Sequence, residues 1–229
     1  MKIQEIERWA RKIFLDAGLE RELIHGLRHF EQVQREYQKI CSLVPLDIEV
    51  GSLLEIAVNV HDIGRTVLGV HAENSARMFS EWSIPDLLLI QKHAVIFAIA
   101  NHSHGLVGLG IKEAKTLEQK ILGLLVICDH MDAASPEGAA RAAMAYKGKP
   151  TLSNDISKSD LLRAMEVSPP FGEMGRYTAS LLGNWVWDYA ATGPIMQAID
   201  SLVTVEYKRY VEDRLTAFRS LIDVALNCC

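Results

Sequence analysis

The chain has 229 residues, the length of one large domain or two small ones, and is long enough to bury a sizeable core. Hydrophobic residues make up 49% of it and charged residues 23%, as in an ordinary soluble globular protein. The formal net charge of −5 disfavours a protein that binds duplex nucleic acid through a basic surface. No apolar run reaches the roughly 18 residues that span a bilayer, and the first residues lack the apolar segment of a signal peptide. We therefore expect a cytoplasmic protein without a membrane partner.

Apolar residues recur at helical spacing along most of the chain, and no segment has a clear strand pattern. The pattern predicts a first helix that stops at residues 17–18, a second that ends before Pro45, and a third that Asp47 can cap. Further helices are predicted over about 71–82, from Pro85 to about 102, and over about 116–131. The glycines of the stretch 102–110 predict a loop there.

The last third of the chain continues the helical pattern after a polar interruption. Pro136 suits the first turn of a helix that ends near Gly148, and the polar stretch over 147–160 is the best candidate for an internal boundary. Two more helices are predicted, over about 172–190 and about 194–226. The predicted fold is all-α, with a helical core over 1–148 and a helical extension over 149–229. We expect this extension to pack on the core or against a second protomer in a homo-oligomer.

Histidine and aspartate residues occur at the ends of the predicted helices. His25 and His29 are four residues apart and so lie on one helical face. His61 and Asp62 end the apolar run IAVNVHDIG, and Asp129 lies on the flank of the apolar helix that contains LLVICDHMDA. A buried carboxylate is costly unless it is paired or binds a metal. Helix capping or a structural His–Asp hydrogen bond explains each site alone, whereas the sites together favour a metal centre.

The order His29, His61-Asp62, Asp129 resembles the H…HD…D signature of the HD superfamily, the all-helical metal-dependent phosphohydrolases. The segments HGLRHFEQV, HDIGR and TLEQKILGLLVICDHMDAASPEGAARA are similar to three motifs of that family, and the resemblance covers residues from about 20 to about 148. It implies an HD-type helical bundle. The departures from the family pattern are Gln32, where arginine is usual, and His130, where arginine or lysine is common.

The resemblance implies a divalent metal ion held by residues of these three segments. His29 rather than His25 is expected as the first ligand, because Val33 then stands at the family's valine position. Nitrogen-rich ligation favours manganese, iron, cobalt, nickel or zinc over magnesium. The implied primary ligands are His29, His61, Asp62 and Asp129.

Two further histidines bear on the number of ions. His71 lies in the segment VHAENSARMF and His102 in AIANHSHG. Both segments are similar to short motifs found between the HD pair and the last aspartate in several branches of the family. In branches with two metals such histidines hold the second ion, and the aspartate that corresponds to Asp62 bridges both. In one-metal branches the same residues face the substrate, so the resemblance allows one ion or two.

Other residues near these ligands are expected to take part in the chemistry. Arg65, three residues after Asp62, corresponds to a family cation that reaches a phosphate, although an exposed helix-end cation is the alternative. His25 or Asp132 is expected to accept a proton from the attacking water. A structural role at a helix turn fits Asp132 equally well.

The implied function is hydrolysis of a phosphoester or phosphoanhydride of a nucleotide or similar small molecule by a metal-activated water. Two alternatives stay open at this point. One is a di-iron oxygenase of the HD type. The other is a module that binds a nucleotide without turnover, which the complete ligand set disfavours.

Overall fold

The computed structural model describes residues 3–19, 25–82, 84, 87–133 and 194–227. Regular structure within these ranges is helical, which confirms the all-α prediction. The elements predicted within 134–193, including the boundary near 148, lie outside the described residues. None of the helices in the described ranges is long and apolar enough to cross a membrane. The helices are α1 (Ile3–Asp16), α2 (Leu27–Leu43), α3 (Ile48–Val60), a short 3₁₀ helix (Ile63–Thr66), α4 (His71–Glu81), α5 (Leu89–Asn101), α6 (Gly105–Gly108), α7 (Leu117–Ala133), α8 (Pro194–Ala198) and α9 (Val205–Asn227).

Helix α7 lies at the centre of the core. Residues 121–128 of this helix are all buried, because a helix that is apolar on every side must be covered on every side. Helices α2, α3 and α5 pack around it. This arrangement brings the last turn of α7 to the ends of α2 and α3 from which the predicted ligands project.

The C-terminal part of the chain packs on the same core. The predicted single helix over 194–226 is wrong, because the chain breaks between α8 and α9. The hydroxyl of Thr204 donates to the carbonyl of Leu43 over 2.8 Å and accepts a hydrogen bond from the backbone N–H of Tyr207 over 3.2 Å. Thr204 thereby caps α9 and fixes its start against α2. The buried residues of this part include Ile199, Val203, Tyr207, Val211 and Leu215.

Helix α5 begins later than predicted. It starts at Leu89 rather than Pro85, and Leu88 before it is extended. The backbone N–H of Leu88 donates to the side-chain oxygen of Gln91 over 3.1 Å, so a side chain at the third helical position fixes the start of the helix.

Two smaller predictions also need correction. The predicted loop over 102–110 contains one helical turn, α6. Gly105, its first residue, has a positive φ of 61°, and Gly110, two residues after its end, has a positive φ of 70°. Asp47 does stand at the N-cap position of α3, but its side chain makes no capping hydrogen bond. The chain therefore turns within 102–110 and before α3 as predicted, but with a helical turn in the first segment and without a side-chain cap in the second.

Candidate metal centre

Histidine and aspartate side chains from separate helices meet at one end of the bundle. They form three groups, and within each group the candidate ligand atoms all lie within 4.8 Å of one another. Every metal ligand predicted from the sequence belongs to one of these groups, and His25 joins them. The groups are His25, His29 and Asp62; His29, His61 and Asp129; and Asp62, His71 and His102.

The first subsite is centred on Nε2 of His29. This atom lies 3.2 Å from Oδ1 of Asp129, 3.4 Å from Nε2 of His61 and 3.6 Å from Oδ2 of Asp62. Both imidazoles are almost completely buried, with side chains 4% exposed at His29 and 1% at His61. The four predicted primary ligands therefore lie close together, three of them buried and Asp129 with a side chain 18% exposed.

The second subsite lies on the other side of the Asp62 carboxylate. Its Oδ1 atom is 3.5 Å from Nε2 of His71 and 3.6 Å from Nε2 of His102, and these two nitrogens are 3.1 Å apart. Oδ1 is buried and accepts no hydrogen bond from the described residues. Because Oδ2 faces the first subsite, the two oxygens of one carboxylate face two different sets of imidazoles.

The outer nitrogens of three histidines are tied to fixed acceptors. Nδ1 of His29 lies 2.7 Å from Oδ2 of Asp132. Nδ1 of His61 and Nδ1 of His102 donate to the backbone carbonyl three residues earlier, over 2.9 and 2.7 Å. A carbonyl can only accept, so the neutral imidazoles of His61 and His102 carry their hydrogen on Nδ1 and turn the lone pair of Nε2 into the cluster. This is the orientation that a histidine needs in order to bind a metal.

Gly64 allows the second subsite to form. A Cβ atom at this position would lie 2.2 Å from the carbonyl oxygen of His71 and 2.4 Å from the backbone nitrogen of Ser75. The backbone N–H of Gly64 also donates to the hydroxyl of Ser75 over 2.8 Å. The lack of a side chain thus lets the first turn of α4 approach the 3₁₀ helix and brings His71 to Asp62.

Carboxylates hold a proton on His29. Burial lowers the pKa of this imidazole, but hydrogen bonds to Asp129 and Asp132, and their charges, outweigh burial and raise the pKa to about 10. Burial would raise the pKa of Asp129, yet the hydrogen bond from His29 and the charge of His61 hold it below its ordinary value. His29 and Asp129 therefore carry opposite charges at neutral pH.

Three other ligands of the cluster already have the protonation state that metal binding requires, whereas at His102 burial is outweighed by the neighbouring Asp62 carboxylate, which raises the pKa. Burial lowers the pKa of His61 and of His71 to about 4, against the opposing charge of Asp62. Burial would raise the pKa of Asp62, but the surrounding imidazoles, His61 first, hold it well below its ordinary value. Near pH 7, two neutral imidazoles thus face an ionised carboxylate.

The remaining predicted residues lie around the cluster. Nε of Arg65 donates to Oδ2 of Asp62 over 2.7 Å, and Nη2 of Arg65 lies 3.2 Å from Nε2 of His71. Nδ1 of His25 is 3.0 Å from Oδ2 of Asp62, and the His25 side chain is 31% exposed. Asp132 binds the outer nitrogen of His29, so it orients this imidazole from behind.

Sequence reasoning missed one polar group at the cluster. The hydroxyl of Ser103 lies 3.2 Å from Nε2 of His71, and this serine is exposed. Its position directly after His102 is the only signal in the sequence, and a serine in a turn suits many roles.

The donor set determines what the cluster could bind. Imidazole nitrogens and carboxylate oxygens together suit divalent transition metals, and the buried groups could hold such an ion. No protein-family model, curated protein or solved structure matches the chain, so the functional interpretation rests on the residues themselves.

Proposed function

We propose that the chain is a metal-dependent phosphohydrolase of the HD type that acts on a nucleotide or a similar small phosphorylated molecule. The supporting observation is the orientation of its buried histidines, whose outer nitrogens are bonded to fixed acceptors while Nε2 faces a shared carboxylate. Manganese, iron, cobalt, nickel and zinc fit this donor set.

Two ions suit the arrangement, with Asp62 common to both. When bound, such ions supply a water of lowered pKa and offset the negative charge of a phosphoryl group. The first subsite would use His29, His61 and Asp129 with Oδ2 of Asp62. The second would use Oδ1 of Asp62 with the remaining pair, His71 and His102.

The chain itself supplies groups for the substrate at the open side of the cluster. Arg65 is 26% exposed and is held there by Asp62. Its guanidinium can bind two phosphoryl oxygens side by side and hold the phosphate next to the subsites. His25 is the most exposed imidazole of the cluster, with its side chain 31% exposed against 23% for His71, so we assign to it proton exchange with the attacking water.

A direct test is to purify the protein, measure its metal content and assay phosphate release. The assay uses nucleoside mono-, di- and triphosphates and simple phosphoesters, each with manganese, nickel or cobalt. We expect bound transition metal and metal-dependent release from at least one class of nucleotide. A protein that holds the metal but releases phosphate from none of these compounds would contradict the proposal. An oxygen-sensitive visible spectrum in the iron-loaded protein would then favour the di-iron oxygenase, since a carboxylate shared by two subsites also suits that chemistry.

Arg65→Ala is expected to separate substrate binding from metal binding. Each charge-assisted hydrogen bond to phosphate contributes about 1.5–3 kcal/mol, so the loss of one alone should raise the Michaelis constant roughly tenfold to a hundredfold. At saturating metal the metal content should stay the same, because Arg65 cannot itself act as a ligand, although loss of its hydrogen bond to Oδ2 of Asp62 should weaken the metal affinity. Arg77→Ala is the matched control, since Arg77 on α4 is exposed and pairs with exposed Glu81. An unchanged Michaelis constant and turnover number would remove Arg65 from the site.

Metal affinity is expected to increase with pH. His29 has a pKa of about 10, so Nε2 carries a proton throughout the range of about pH 6–8 and a metal must displace it. Raising the pH lowers this competition, and the apparent affinity should increase about tenfold per pH unit for each displaced proton. Titration calorimetry with Mn²⁺ in buffers of different ionisation enthalpy measures both the affinity and the released protons. An affinity that is constant over this range would exclude His29 as a ligand.

A further inference from the structure

A partly buried polar network joins the C-terminal helix α9 to the helix that carries His29. Glu36 of α2 is 4% exposed, although it is charged. Arg214 of α9 forms an ion pair with Oε1 of Glu36 through Nη1, and the same nitrogen donates to the hydroxyl of Tyr210 over 2.7 Å. This hydroxyl donates to Oε2 of Glu36 over 3.0 Å, so both carboxylate oxygens are bonded to α9.

The second nitrogen of Arg214 reaches α7, the helix that carries Asp129 and the orienting residue Asp132. Nη2 donates to the backbone carbonyl of Met131 over 2.8 Å. Met131 lies in the last turn of α7, between Asp129 and Asp132. Arg214 thus holds this turn at a point between the two aspartates.

The network lies close in sequence to the contacts that it would control. Glu36 is seven residues after His29, which is two turns further along the same face of α2. His29 must meet Asp129 and Asp132 across the α2–α7 interface, and those contacts measure 3.2 and 2.7 Å. A small slide of α7 along α2 would break both of them.

We propose that Arg214 is a positioning residue that fixes the last turn of α7 against α2 and thereby sets the metal affinity of the first subsite. This inference rests on the proposed metal centre and extends it to a residue that lies outside the cluster. A buried ion pair seldom stabilises a fold more than apolar side chains of similar volume do. Fixing the register between two helices is therefore the better explanation for Glu36 and Arg214.

Arg214→Lys tests the proposal while keeping the positive charge at this position. The ammonium group of lysine can pair with Glu36, but it lacks the second nitrogen that bonds the Met131 carbonyl. We expect a thermal midpoint close to that of the wild type and an affinity for Mn²⁺, by titration calorimetry, that is about tenfold weaker. Arg209→Lys is the control, because Arg209 lies on the exposed face of the same helix and should leave both quantities unchanged.

A double variant, Glu36→Met with Arg214→Met, distinguishes positioning from stability. Removing both charges together leaves no buried unpaired charge, so the thermal midpoint should be close to that of the wild type. If Arg214 has a positioning role, the Mn²⁺ affinity of the double variant should stay about tenfold weaker than that of the wild type. If its role is purely structural, the Mn²⁺ affinity should equal that of the wild type once the thermal midpoint does. Wild-type affinity in either folded variant overturns the proposal for Arg214 alone. Absence of Mn²⁺ binding by the wild type would instead reject the metal centre, and the inference with it.

Discussion

Replacing Asp62 with alanine is expected to remove both the bound metal and phosphate release while the protein stays helical. Oδ2 of Asp62 lies 3.6 Å from Nε2 of His29 and Oδ1 lies 3.5 Å from Nε2 of His71, so loss of this carboxylate takes a ligand from both subsites at once. Loss of an orienting partner alone weakens metal affinity tenfold to a hundredfold, so loss of this direct ligand should cost at least about a hundredfold. Metal analysis, a phosphate-release assay and circular dichroism measure the three outcomes.

Asp47→Ala is the control for this substitution. Asp47 precedes α3 at its other end, is exposed and makes no capping hydrogen bond through its side chain. This variant should keep the metal, the activity and the helical content of the wild type. If Asp62→Ala were as active as the wild type, the proposed phosphohydrolase would have to be abandoned.

Gly64→Ala is expected to have the largest effect on stability. The added Cβ would overlap backbone atoms of His71 and Ser75, and backbone cannot rotate away as a flexible side chain can. We expect the free energy of unfolding, measured with urea, to fall by about 3 kcal/mol. The displaced helix α4 should also carry His71 away from Asp62 and weaken binding at the second subsite.

Gly51→Ala provides the matched comparison. Gly51 lies inside α3, and a Cβ there would be 4.0 Å from its nearest neighbour, the Cβ of Leu46. Alanine has the higher helix propensity, so this variant should be more stable by about 0.5–1 kcal/mol. Equal stability of the two variants would refute the steric role assigned to Gly64.

The sequence was most informative where a local pattern coincided with a helix end. His61 and Asp62 follow an apolar helix directly, and an HD pair at that point indicated inward-facing ligands before any contact was known. His71 and His102 also stand at the ends of helices, and the structure brings both to Asp62. Glycines soon after Asp62 and after His102 indicated those two helix ends locally, although the start of α5 and the break before α9 were not predicted.

Features that depend on distant partners were not predictable. Thr204 interrupts an otherwise helical pattern because its hydroxyl bonds to Leu43, which lies far away along the chain. Glu36 has the appearance of an ordinary surface charge within α2, and only the approach of α9 brings Arg214 to it. Such interactions involve single residues far apart in the sequence, and neither periodicity nor a short motif reveals them.

The packing of α8 and α9 has a consequence for shortened forms of the protein. Tyr207, Val211 and Leu215 of α9 are fully buried, so this helix contributes side chains to the hydrophobic core. A polypeptide ending before residue 194 would present that interior to water and invite aggregation or proteolytic clearance. A premature stop codon before residue 194 should thus lower the cellular abundance of the protein sharply.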